Sequence, residues 1–198
     1  MRSLNERVRA AFVAIDAANA LDPTVVTVRG EELPLSLAHG RLASGWVLRL
    51  AGDPDDAVLI AARAHHLRRW EVPRTTYPEG RPGYLRWRKD QKARHARDVA
   101  EILGPIGYTA DEIERTQALI RRENLGSDPA AQVVEDAACL VFIETQLAAM
   151  VPRFEREHYL SIIRKTARKM SADGLAAIAE LPLDAIAQQL LADAMAGD

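Results

Sequence analysis

The longest uninterrupted apolar run of the chain covers residues 137–143, Ala-Ala-Cys-Leu-Val-Phe-Ile. A helix formed by this run is apolar on every side, so it has to be covered by other elements at the centre of a fold. The run is also far shorter than a membrane span. It therefore predicts a globular protein that is built around a central helix.

The rest of the sequence predicts further helices around this one. Ala, Leu, Arg and Glu are frequent, and apolar residues recur at spacings of three and four. The predicted helices cover residues 4–20, 35–51, 54–70, 84–104, 109–124, 128–150, 154–170 and 173–194. Alternation around Gly30 predicts a short hairpin or extended segment near residues 24–33. Because there is no repeat and no clear linker, we expect one all-α domain over residues 1–198.

The cysteine content and the absence of targeting signals indicate a cellular compartment. A single cysteine, Cys139, excludes an internal disulfide and a cysteine-based zinc cluster. The sequence shows no signal-peptide pattern, so we expect a reduced, cytoplasmic protein with no membrane contact. The apolar C-terminal helix around Leu190 offers a surface for dimerisation, so we expect either a monomer or a homodimer.

Positive charge is concentrated in residues 63–97, which we call the basic block. It contains eleven basic and three acidic residues, so it carries a net charge of +8, whereas the rest of the chain carries −10. Within it, residues 71–84 contain three prolines and two glycines and predict a long loop. Such a block is either a solvated surface or a site for phosphate or nucleic acid.

Ionisable residues fall on the apolar faces of four predicted helices. Helical spacing places His39, His66 and His95 on such faces, and Asp136 on the face that leads into the central run. His65 lies beside His66 in the sequence. Each histidine alone is more often a hydrogen-bonded core residue than a ligand, and Asp136 alone could cap a helix or pair with an arginine. Together, imidazoles and a carboxylate from separate helices are the ligands with which helical bundles bind transition metals.

The order of these motifs resembles the HD-domain metal-dependent phosphohydrolases over roughly residues 35–145. Leu37-Ala-His39-Gly-Arg41 resembles their first histidine, and Ala61-Ala-Arg-Ala-His65-His66 resembles the run that ends in His-Asp. The segments 95–108 and 135–140 resemble the following helix and the last aspartate. Where the HD enzymes have the aspartate of that pair, this chain has His66.

The whole chain is also similar to a bacterial and fungal family that is catalogued only as a domain of unknown function. The similarity is carried by segments such as His66-Leu-Arg-Arg-Trp70, Gly83-Tyr-Leu85 and Glu135-Asp136. It covers nearly the full length and implies no established activity.

The HD resemblance implies an HD-like helical bundle that binds a divalent transition metal. The candidate metals are Mn, Fe, Zn, Co and Ni. The implied metal ligands are His39, His65, His66, His95 and Asp136. Glu135 would stand beside the metal and act with Asp136 in catalysis, and metal-bound water would attack a phosphorus centre. The arginines expected to hold the anionic substrate are Arg68, Arg69, Arg74, Arg81 and Arg88, because guanidinium groups suit bidentate phosphate contacts.

These features predict a metal-dependent phosphohydrolase that acts on a small phosphorylated or nucleotide-like anion. The alternative is a non-catalytic protein that binds an anion or RNA on a degenerate HD-like scaffold. Aromatic residues such as Tyr77 and Trp87, interleaved with arginines, could stack on single-stranded bases. The isoelectric point near 6.2 and the absence of an RNA-binding motif make RNA the weaker alternative. An oxygenase with an iron pair would need more ligands than the sequence offers.

Overall fold

The computed structural model describes residues 4–150 and 155–196, with residues 148–150 described only in their backbone. These residues form helices and one small antiparallel hairpin, so the predicted all-α class is confirmed. The helices are α1 (Glu6–Asn19), α2 (Leu35–Ala51), α3 (Asp56–Ala64), α4 (Gly80–Ile106), α5 (Ala110–Arg121), α6 (Pro129–Met150), α7 (Arg156–Ala167), α8 (Ala172–Ala177) and α9 (Ala185–Ala196). The strands of the hairpin are β1 (Val25–Val28) and β2 (Glu31–Pro34).

Polar side chains fix where several helices begin. Asn5, Asp55, Thr109 and Ser171 each accept a hydrogen bond from the backbone N–H three residues later. At Thr109 the cap is reciprocal, because the side chain of Glu112 accepts from the Thr109 N–H at 2.7 Å. These caps satisfy backbone N–H groups that a helix start would otherwise leave without a partner.

Two predicted boundaries differ from the structure for local reasons. Helix α3 ends at Ala64 and not at residue 70, and a turn with Arg68 in the left-handed conformation follows it. Helix α4 begins at Gly80 and not at residue 84, because Pro82 lies in its first turn, where a missing N–H is not needed. The predicted segment 173–194 consists of two helices, α8 and α9, and the break between them contains Pro182, the residue that predicts it. The predicted start at residue 154 lies outside the described residues.

Helix α6 lies at the centre of the molecule, as its apolar run predicts. Ala137, Leu140, Val141 and Ile143 are buried, and α6 packs against α2, α3, α5 and α7 to α9. This position brings both ends of α6 next to the polar groups of the surrounding helices. Within the described ranges, we find no helix with the length and apolar character to cross a bilayer.

Candidate functional site

Four of the five histidines meet where α2, the end of α3 and α4 come together. We call His39, His65, His66 and His95 the histidine centre. Ring centroids are 4.1 Å apart for His65 and His66, 5.0 Å for His39 and His66, and 6.3 Å for His66 and His95. The structure therefore brings together all the histidines that the sequence placed on apolar faces, and His158 lies apart from them on the exposed surface of α7.

Close backbone packing and one amide side chain hold these histidines in place. Gly40 follows His39, and a Cβ atom there would lie 2.5 Å from the carbonyl oxygen of Arg63, so only glycine permits α2 to approach α3 this closely. After α3, the Arg68 N–H donates to Oδ1 of Asn19 at 3.0 Å. This bond stabilises the left-handed turn that directs His65 and His66 toward α4.

The hydrogen bonds assign a tautomer to three of the four rings. Nδ1 of His65 lies 2.8 Å from the carbonyl oxygen of Ala62, which can only accept, so Nδ1 carries the proton and Nε2 has a lone pair. Thr145 donates its hydroxyl proton to the carbonyl oxygen of Val141 at 2.7 Å. The same hydroxyl oxygen lies 3.0 Å from Nε2 of His39, and we assign the proton to Nε2 from this contact because the amide nitrogen of Gln146 lies farther from the same atom, at 3.4 Å.

This arrangement fixes the contact between His39 and His66. Because Nε2 of His39 donates to Thr145, its Nδ1 has a lone pair and accepts from Nδ1 of His66 at 2.8 Å. Nε2 of His66 is then also a lone-pair nitrogen. His95 differs from the other three, because neither of its buried ring nitrogens has a described partner in hydrogen-bond geometry; a backbone contact with Leu67 favours the charged ring, but burial outweighs it. The histidine centre thus contains three rings with an available nitrogen.

Burial and nearby positive charge keep the histidine centre neutral. Burial, followed by the charge of Arg69, lowers the pKa of His39 to about 4 and that of His95 to about 3. Burial and Arg122 lower the pKa of His65 well below its usual value, and burial, His65 and Arg69 do the same for His66. At neutral pH the imidazoles are therefore uncharged, which is the form that binds metals.

Arg69 is the predicted anion-binding residue that lies closest to this chemistry. Its guanidinium group stacks on the Trp87 ring at 4.3 Å, and its carbonyl oxygen accepts from Gln91 of α4. Burial lowers its pKa to about 10, so it remains charged at neutral pH. In the described part of the chain, no carboxylate lies within ion-pair distance of this guanidinium group. A largely buried cation without a counter-ion is costly, and an anionic ligand would relieve that cost.

The other predicted arginines differ in their surroundings. Arg88 is half-buried on α4 and lies over the Tyr84 ring at 5.8 Å, close enough to Arg69 to affect its pKa. Arg74 donates to the carbonyl oxygens of Tyr77, Pro78 and Gly80, so it holds the loop before α4. Arg81 is exposed in the first turn of α4, and Arg68 is half-buried in the turn after α3. Among these five arginines, Arg69 is the one whose charge lowers the pKa of the histidines most clearly, and Arg88 lies within electrostatic range of Arg69.

The two predicted carboxylates of α6 already have partners. Asp136 is 2% exposed and accepts from Nε2 of Gln132 at 2.9 Å, from the Ser171 N–H at 2.9 Å and from the Ser171 hydroxyl at 2.6 Å. Gly174 packs directly against it, since a Cβ atom there would lie 2.7 Å from Asp136 Cγ. Within the ranges the structure describes, no histidine is a hydrogen-bond partner of Asp136. Its observed contacts join α6 to the start of α8.

Glu135 is paired with Arg122, a residue that the sequence analysis did not single out. Nε of Arg122 donates to Glu135 at 2.9 Å, and both side chains are almost completely buried. Burial opposes ionisation of Glu135, but the charge and hydrogen bond of Arg122 outweigh it and lower the Glu135 pKa. Arg122 also donates to the carbonyl oxygens of Leu119 and Ile120 at the end of α5.

The donor set determines which metals fit the histidine centre. Among the described residues, no group of three or more His, Cys, Asp or Glu side chains is already arranged to hold a metal ion. The available nitrogens of His65, His66 and His95 nevertheless form a set of three neutral imidazole donors, and the two nitrogens of His95 have no other use. Such a set suits zinc, nickel, cobalt or iron better than magnesium or manganese, which favour oxygen ligands.

Comparison with known proteins assigns a family and no activity. The model of the family described as "Domain of unknown function (DUF4202)" matches residues 9–191, and the chain belongs to this family. No curated protein and no solved structure gives a significant match to the chain.

Proposed function

We propose that this member of the family is a metal-dependent phosphohydrolase of the HD type. Its substrate would be a small phosphorylated or nucleotide-like anion, and its metal would bind at the histidine centre. The observation that carries the proposal is that two groups without partners lie within electrostatic range of each other, since the charge of Arg69 lowers the pKa of His95. Among the described residues, the buried His95 ring has no partner in hydrogen-bond geometry, and the half-buried Arg69 guanidinium has no counter-ion. A metal ion and an anion would satisfy them together.

The side chains support this reaction in distinct ways. His65, His66 and His95 would hold the metal, and a metal bound there lowers the pKa of its water and polarises a phosphoryl oxygen. His39 would orient His66 through the bond between their Nδ1 atoms, and Thr145 fixes the tautomer of His39. Arg69 and Arg88 would hold the phosphoryl oxygens, with Arg69 kept in place by Trp87.

Metal analysis followed by a binding and activity series tests the proposal. The purified chain is expected to bind one equivalent of zinc or cobalt, to gain thermal stability with inorganic phosphate, and to hydrolyse a member of a phosphomonoester and nucleotide panel. His66→Ala and His95→Leu are expected to lose metal binding, whereas His158→Ala, a change at an exposed histidine, is expected to retain it. Substoichiometric metal in the wild type after addition of zinc, cobalt, nickel and iron would exclude the metal site.

A second candidate function is anion binding without catalysis. It is favoured by the state of Glu135 and Asp136, because both carboxylates are engaged by other groups and neither is available as a base. In this case phosphate or nucleotides raise the melting temperature, but no metal gives turnover. RNA is a variant of this candidate, and it would require oligonucleotide affinity that falls steeply with salt and no affinity for small phosphates.

A further inference from the structure

Helix α4 carries a row of side chains that leads to the histidine centre. Tyr84, Arg88, Lys92 and His95 are spaced by four, four and three residues and therefore share one face of the helix. At 1.5 Å per residue, Lys92 lies about 6 Å beyond Arg88 and about 4.5 Å before His95 along the helix axis. Arg88 and Lys92 are half-buried, whereas Lys89 on the neighbouring face is exposed.

Lys92 faces a region in which positive charge is in excess. The charges that act most strongly on its ammonium group are those of Arg122, Glu135, Arg88 and Lys169, and three of these four are positive. Glu135 is already paired with Arg122 at 2.9 Å. Along the described residues, no carboxylate lies within ion-pair distance of Lys92. Burial, Arg122 and the other cations lower the pKa of Lys92 to about 8.

Lys92 and Arg69 both lie within electrostatic range of Arg88, whose charge lowers the pKa of each. Arg69 stacks on Trp87, the residue before Arg88 on α4, and Lys92 follows Arg88 by one helical turn on the same face. Two half-buried cations without counter-ions, both near a third cation, require more negative charge than one phosphate group supplies at a single point. A chain of two linked phosphoryl groups provides negative oxygens at both ends.

We propose that Lys92 holds a second anionic group of the ligand and that the substrate class is a compound with two linked phosphoryl groups. This inference rests on the proposed function, in which Arg69 holds the first phosphoryl group. It adds a specificity-determining residue that lies inside the basic block but had no role in the sequence analysis. Arg122 pairs with Glu135, so this carboxylate is not available to form an ion pair with Lys92.

Calorimetric titration of the full chain with inorganic phosphate and inorganic pyrophosphate, in metal-free buffer, tests this inference. Wild type is expected to bind pyrophosphate at least about tenfold more tightly than phosphate, since a second charge-assisted contact is gained. Lys92→Gln is expected to lose that preference and to keep its phosphate affinity within about twofold. Lys92→Arg is expected to keep the preference.

Lys89→Gln is the matched control, because it removes the same charge from the same helix at an exposed position. Circular dichroism and the melting temperature establish that each variant is folded. Arg69→Gln is expected to weaken both ligands. Three outcomes overturn this inference and leave the proposed function standing. They are equal affinity of wild type for the two ligands, an unchanged preference in Lys92→Gln, and equal weakening of both ligands in that variant. A wild type that binds neither ligand overturns the anion site of the proposed function and this inference with it.

Discussion

The histidine centre and the carboxylates of α6 are both buried, and they differ in how completely their polar atoms are partnered. Asp136 has three hydrogen bonds to Gln132 and Ser171, and Glu135 has a charged partner in Arg122. In the histidine centre, His95 has no partner among the described residues, and the adjacent Arg69 has no counter-ion there. The sequence analysis had placed all these residues in one site.

The difference separates structural polar groups from groups available to a ligand. A buried polar atom with a partner adds to stability, whereas one without a partner costs free energy that only a ligand, an ion or water can recover. The carboxylates therefore join α6 to α5 and α8. In the histidine centre, His95 has no partner in hydrogen-bond geometry and the neighbouring Arg69 has no counter-ion among the described residues.

The largest effect is expected where a partnered charge loses its partner. Arg122→Met leaves the buried Glu135 carboxylate alone and is expected to lower the free energy of unfolding by about 3–5 kcal/mol in urea denaturation. The control is Arg121→Met, which breaks more exposed ion pairs with Glu114 and Glu123 and is expected to cost less than about 1 kcal/mol. Equal losses in the two variants would contradict the structural role of Arg122.

Acidification tests the neutral state of the histidine centre. Because the folded pKa values lie below the ordinary value of 6.5, the unfolded chain binds more protons, and stability is lost as pH falls below that value. The free energy of unfolding is expected to fall by about 4 kcal/mol between about pH 6.5 and about pH 5.5, about 1 kcal/mol for each of the four histidines. In His95→Leu this fall is expected to be about a quarter smaller. A flat profile in wild type would show that the imidazoles take up protons in the folded state as they do in the unfolded chain.

Truncation of Asp136 is the next test of the comparison. Asp136→Ala leaves the Ser171 N–H and hydroxyl without their acceptor and is expected to cost about 2–3 kcal/mol. Zinc binding by the folded variant is expected to match wild type. Asp173→Ala, an exposed change in the first turn of α8, is the control for stability. If the folded variant loses zinc binding as well as stability, Asp136 is a metal ligand.

The smallest effect on stability is expected at the group without partners. His95→Leu replaces an imidazole that makes no hydrogen bond to a described residue with an apolar side chain of similar size, so unfolding should shift by less than about 1 kcal/mol. The same variant is expected to lose zinc binding in calorimetry. A loss of several kcal/mol would reveal a stabilising contact of the ring.

The sequence predicted the elements that depend on local pattern. Helix α2 has the predicted bounds of Leu35–Ala51, and the hairpin lies where Gly30 indicated a turn. The inward positions of His39 and His95 follow from helical spacing, whereas His65 and His66 lie in the turn after α3 and owe their positions to that turn.

What the sequence did not predict depends on contacts between distant residues. The turn at Arg68 is held by Asn19, so the end of α3 carries no sufficient local signal. Asp136 has the spacing of a ligand, but its hydrogen bonds to Ser171, 35 residues away, have no local signal in the sequence. Arg122 and Lys92 are ordinary surface residues by type, and only the packing of α4, α5 and α6 buries them. Residue type and spacing indicate which groups are candidates, while hydrogen-bond satisfaction decides between them.

Asn19 has a consequence for the order in which the molecule assembles. Its amide donates to the carbonyl oxygen of Ser36 and accepts from the N–H of Arg68, which is 49 residues away along the chain. One side chain of α1 thus sets the spacing between the segments that carry His39 and His66. Contacts of this range close late in folding because the chain entropy of the loop has to be lost first. Cobalt absorption should therefore develop after helix formation during refolding, which would make the metal a reporter of the completed native state.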